Sequence, residues 1–175
     1  MKKLTLILLL VLPALSARAQ EGIPLLDKVQ GQRVQFHYTY SLSQNGEAFR
    51  SITDGNVTVE DNAYMLEGLG LRVLSDGTTR WTLDAEAGEV LVETVVKEDL
   101  YTNPALFIAS YRDHLSQLKV NEAGAGFLDV TLTLDEQNQA RFVLKDITYS
   151  PQQGKSDFSL DEKSLPDTYV ITDLR

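Results

Sequence analysis

The feature that most constrains this chain is a hydrophobic period of two. Val34, Phe36, Tyr38, Tyr40 and Leu42 alternate with Gln35, His37, Thr39 and Ser41. That period puts the apolar side chains on one face of a strand. It returns in Val57 and Val59, in Tyr64 and Leu66, in Thr79, Trp81 and Leu83, and in Val90, Val92 and Thr94. Turn signals separate the pieces at Asn45-Gly46, Asp61-Asn62, Asp76-Gly77 and around Gly88. Asn-Gly and Asp-Gly accept positive φ at little cost, as tight hairpins require. Strands joined so closely pair with their sequence neighbours, which predicts an antiparallel meander. Further strands are expected at about 117–122, 126–135 and 139–150, and a short edge strand in the tail near Tyr169, Val170 and Ile171.

The period lengthens in two places. Ile23, Leu26 and Val29 recur every third residue before Gly31, which predicts a short helix. Asn103-Pro104 supplies an N-cap and a proline suited to the first helical position. Phe107, Tyr111, Leu115 and Leu118 follow at helical spacing, with Arg112 and Asp113 on the other side. The expected class is therefore α+β: a curved antiparallel sheet whose cover is limited to two short helices. The segments 90–96 and 142–149 are apolar on nearly both faces, and Phe36, Tyr38 and Tyr40 form an aromatic row. These residues read equally as packed core or as the lining of a hydrophobic ligand cavity.

The N-terminus has the grammar of a secretory signal peptide. Lys2-Lys3 is the basic region, Leu4–Leu12 the apolar one, and Ala17-Arg18-Ala19 a small-x-small cleavage site. The apolar run is too short for a stable membrane span. Cleavage after Ala19 would leave a single domain over 20–175, with 13 basic against 25 acidic residues and a formal charge of −12. Such a surface disfavours nucleic-acid binding and adhesion to anionic headgroups.

Little chemistry is available. With no cysteine, disulfides, thiolate catalysis and acylation at the cleavage site are excluded. His37 and His114 sit on different elements without a partner at metal-ligand spacing. There is no Gly-x-Ser-x-Gly elbow and no phosphate-cradling loop. Glu60-Asp61 and Glu98-Asp99 are carboxylate pairs in expected turns, with no spacing that argues for a glycosidase. The expectation is a binding protein without catalytic residues, metal or cofactor.

The stretch VLSDGTTRWTLDAEAGEVLVETVVKEDLYTNPALFIAS, residues 73–110, resembles LolA, the family of periplasmic carriers that move lipoproteins to the outer membrane. The resemblance rests on Ser75, Asp76, Gly77 and Trp81, then Pro104, Ile108 and Ala109. Leu26-Asp27-Lys28-Val29 is similar to the family's first helix, and YVITDLR, residues 169–175, to its Bacteroidetes branch. The resemblance implies an unclosed half β-barrel lidded by helices, with acyl chains held inside. Phe36, Tyr38, Tyr40, Val57, Val59, Tyr64, Leu66, Trp81 and Leu83 would line the cavity. Leu106, Phe107 and Ile108 would form the lid. The implied partners are acylated lipoproteins, a LolCDE-like inner-membrane transporter and an outer-membrane acceptor, with the carrier acting as a periplasmic monomer. The alternative is a lipid-binding or amphiphile-sensing protein on the same fold. The best-studied carriers hold the lid with an Arg just after the second strand. Val59–Tyr64 contains none, so Arg50 or Arg80 would have to substitute.

Overall fold

A computed structural model describes residues 22–96 and 104–175. Among them, ten strands form one curved, unclosed sheet, with few and short helices. In chain order the elements are α1 (Pro24–Asp27), β1 (Gln32–Ser43), β2 (Arg50–Glu60), β3 (Ala63–Gly68), β4 (Leu71–Ser75), β5 (Thr79–Asp84) and β6 (Glu89–Thr94). Then come α2 (Pro104–Ser110), β7 (Leu118–Gly124), β8 (Phe127–Thr133), β9 (Gln139–Pro151) and β10 (Val170–Asp173). The sheet order is β10-β6-β5-β4-β3-β2-β1-β9-β8-β7. All pairings are antiparallel except that of β10, which joins β6 in parallel. The expected meander runs unbroken from β1 to β6, and the chain then crosses back to place β7–β9 beyond β1.

The turns form as their residues dictate. Asn45 and Gly46 both take positive φ, at 52° and 72°. Gly77 lies at φ 96°, and a Cβ there would sit 2.2 Å from the Asn62 side chain. The Asp76 carboxylate accepts hydrogen bonds from the backbone of Thr78 and Thr79, each at 2.8 Å. Asp76 is thus committed to closing its own turn.

The second helical segment departs from its periodicity. The α-helix ends at Ser110, whose φ of −125° leaves the helical region. Tyr111–Gln117 continues as a 3-10 helix, and Leu118 opens β7 instead of completing a helical stripe. The Asn103 cap lies outside the described residues.

The sheet has two covered faces. On one, α1 and α2 pack against side chains of β1, β2, β3, β8 and β9. On the other, the segment after β9 runs back across β1–β6 as a strap. It contains 3-10 turns at Lys155–Phe158 and Glu162–Ser164 and ends in β10. None of the described helices is long and apolar enough to cross a membrane.

Candidate functional site

The helix-bearing face gathers most of the residues expected to line a cavity. Phe36, Tyr38, Tyr40, Val57, Val59 and Tyr64 are all buried in one apolar cluster, with Leu66 packed at its margin. Strand register explains why. Phe36 lies opposite Val57, Val34 opposite Val59, and Val57 opposite Leu66, so these side chains share a face. β9 and β8 extend it with Phe142, Leu144, Leu128 and Val130.

The helices fill this face. Phe107 is fully buried and stacks on Phe142, ring centroids 4.8 Å apart with planes 9° from parallel. Tyr40 meets the same Phe142 ring at 5.2 Å. Ile108 is buried beside Phe107, and Leu106 packs at the edge. α1 adds Ile23, Leu26 and Val29. Burial pushes the Tyr38 and Tyr40 hydroxyls up from their ordinary 10.0.

Trp81 and Leu83 do not belong to this group. Trp81 lies opposite Leu74 and Val92, and Leu74 lies opposite Met65 rather than Leu66. One residue of offset sends a side chain to the other face. There Trp81 is buried in a second cluster with Leu74, Val90 and Val92, against Leu160, Leu165 and Tyr169 of the strap and its flank. Its indole N–H donates to Glu162 at 3.0 Å. The period-two pattern of β5 correctly put Trp81 and Leu83 on one face. It carried no signal for which face, because both are covered.

A polar tie joins the two helical segments. The Asp27 carboxylate accepts a hydrogen bond from the Tyr111 hydroxyl and pairs with Arg112 at 2.6 Å. The Tyr111 oxygen also accepts from the backbone N–H of Ile23 at 3.2 Å. Burial, reinforced by the Asp27 carboxylate, raises the Tyr111 pKa. α1 is further held by the Tyr149 hydroxyl of β9, which donates to the Leu25 carbonyl at 2.8 Å. Between the helical segments lies a cleft of about 250 Å³, lined by Leu26, Val29, Ile108 and Ala109 and rimmed by Asp27 and Arg112. Sequence reasoning placed Arg112 on the polar side of its helix and missed Asp27 as its partner. The two are 85 positions apart, and no local pattern links them.

The expected latch residues serve elsewhere. Arg80 pairs with Glu93 across β5 and β6 at 2.8 Å, and Arg50 is exposed at the start of β2. The carboxylate Glu60 is structural. It is 3% exposed, faces Arg33 at 3.4 Å, and accepts the backbone N–H groups of Gln153 at 3.1 Å and Gly154 at 2.8 Å. Glu98 and Asp99 lie outside the described residues. His37 contacts Asn56 and His114 contacts Gln117, and no group of metal-binding side chains assembles among the described residues.

No family model and no curated protein matches the chain. Among solved structures, an uncharacterized conserved protein from Thermus thermophilus aligns over 85% of this chain and 94% of its own. Its identity to this chain is 8% and the TM-score is 0.45.

Proposed function

We propose that this protein is a LolA-like periplasmic carrier of lipoproteins: a half-barrel whose helices act as a lid over an acyl-chain site. The observation that carries this reading is the cover of the helix-bearing face. A large apolar surface is closed by α1, with four residues, and α2, with seven. Both are too short to be stable helices alone.

The energetics suit exchange. Ile23, Leu26, Val29, Phe107, Ile108 and Tyr111 are the larger buried side chains on the two segments. At about 1.5–3 kcal/mol each, lifting them off the sheet costs roughly 9–18 kcal/mol. An acyl chain of roughly fifteen methylenes returns about 12 kcal/mol on burial. Cargo and cover are therefore near balance, so loading and release need no catalysis. The Asp27–Tyr111–Arg112 tie would take the place of the family's latch by joining the helical segments to each other.

In this reading Phe36, Tyr38, Tyr40, Val57, Val59, Tyr64 and Leu66 meet the acyl chain once Phe107 withdraws. Trp81 and Leu83 do not. The signal peptide would deliver the chain to the periplasm, where a LolCDE-like transporter would load it and an outer-membrane acceptor would receive the cargo. Incubating the purified protein with spheroplasts tests the proposal. Lipoproteins should appear in the supernatant in complex with it. A supernatant free of lipoproteins would sink the carrier reading.

A further inference from the structure

The strap leaves the outer surface of β7–β9 uncovered, and a groove of about 320 Å³ lies there. It differs in charge from the two other clefts described. The helix cleft has Asp27 and Asp61 in its lining, and a third, beside His37, has Glu67 and Asp146. The groove on β7–β9 has no carboxylate in its lining and two cations, Lys119 and Arg141. In a chain of formal charge −9, that reversal is the feature to explain.

The side chains are arranged as donors. Asp129, 6% exposed, takes Arg141 in a two-pronged bond, Nε to Oδ1 at 2.9 Å and Nη2 to Oδ2 at 2.5 Å. That bond fixes the guanidinium plane and holds the Asp129 carboxyl below its ordinary range. It leaves Arg141 Nη1 unused among the described residues. The guanidinium carbon lies 5.9 Å from the centroid of the Phe49 ring. Asn121 spends its amide donor on Asp129 at 3.0 Å and on Thr131 Oγ1 at 2.8 Å. With its oxygen so occupied, the Thr131 hydroxyl is free to donate. Lys119, opposite Thr131 in the ladder, is exposed and pairs with no carboxylate among the described residues. Thr133 and Gln139 complete the lining. Glu122, opposite Asp129, flanks the groove without lining it.

We infer that this groove is a second binding site, separate from the helix-bearing face, for a phosphomonoester that carries hydroxyl groups, such as a sugar phosphate. The phosphate would sit between Lys119 and Arg141 Nη1. The hydroxyls would meet Thr131, Thr133 and the Asn121 oxygen, with the apolar side of the ring against Phe49. The phosphate could belong to a soluble sugar phosphate or to a lipid headgroup.

Amide chemical shifts of the full chain, titrated with glucose 6-phosphate and with neutral glucose at low salt, test the site. Co-sedimentation with phosphatidylcholine vesicles containing phosphatidylinositol 4-phosphate, whose headgroup carries both the phosphomonoester and ring hydroxyls, tests the membrane source. We expect saturable shifts centred on residues 119–121, 131–133 and 139–141 with the phosphate and none with glucose. Lys119→Gln, at an exposed position, should weaken binding about tenfold, and Lys119→Arg should retain it. Saturation by the soluble ligand alone, or Lys119-dependent binding to vesicles alone, each supports the site and identifies the source. Shifts spread over Lys28, Lys155 and Lys163, or binding unchanged in Lys119→Gln, would overturn it, as would the absence of binding in both arms.

Discussion

The two covered faces of this sheet are closed by different means. The strap is joined to the sheet through its own backbone. β10 adds a parallel ladder to β6, from Val170 opposite Glu89 to Asp173 opposite Val92. The backbone of Gln153 and Gly154 is held by Glu60. Arg33, 6% exposed, reaches Gln153 and Asp157 and stacks over the buried Phe158 ring at 5.0 Å. Among the described residues, the helices on the other face form no ladder with the sheet. Apolar packing, the Tyr149 hydroxyl on the Leu25 carbonyl and the Asp27–Arg112 tie hold them. Backbone bonds and a buried ion pair make the strap a fixed part of the fold. Apolar packing can be exchanged for another apolar partner, so in the carrier reading the helix-bearing face is the one that opens.

The fastening of the strap depends most on Glu60. Glu60→Ala removes one of the two carboxylates paired with the buried Arg33, leaving the half-exposed Asp157, and releases two backbone donors of the strap. It should cost about 4 kcal/mol, read as a lower urea midpoint, with Trp81 emission shifted to the red. A strap that stayed in place would show that the ion pair does not fasten it.

Phe107→Ala removes the ring stacked on Phe142 and should cost about 3 kcal/mol. Here Trp81 emission should be unchanged in the folded state, because the second cluster does not touch α2. In the carrier reading this variant also takes up acyl probes at a lower threshold, which fluorescence of a labelled fatty acid would follow.

Asp27→Asn is gentler, at about 1 kcal/mol, because an amide oxygen can still accept from Tyr111 while the charge pair with Arg112 is lost. Hydrogen exchange should quicken over residues 22–30 and stay constant in β5 and β6.

The smallest effect concerns acid. Arg141 holds the Asp129 carboxyl below its unfolded value of 3.8. The resulting stability is fully present above that value and is lost as pH falls through the lower folded one. Asp129→Asn should therefore flatten the acid limb by under about 1 kcal/mol, with no pH-dependent difference from wild type above the carboxylate range.

Much of the fold was written locally. Alternation and turn residues marked β1 to β6 and β8 to β9 because each strand pairs with a neighbour in sequence. The parallel placement of β10 on β6 joins positions about eighty apart and left no local trace. The same limit governed the site. Phe36, Tyr38, Val57 and Leu66 were legible as one face because hairpin register connects them. Trp81 was not, since its face is decided by a strap whose Leu160 and Leu165 sit among polar neighbours. The partnership of Asp27 with Tyr111 and Arg112 was invisible for the same reason of distance.

In the carrier reading one face opens to acyl chains while the other stays shut. Hydrogen exchange of the whole chain with and without a triacylated lipopeptide measures both at once. We predict altered exchange in residues 22–30 and 104–117 and constant protection in β5, β6 and residues 155–173. Equal change on both faces, or lipopeptide binding that leaves the helical segments untouched, would contradict the account.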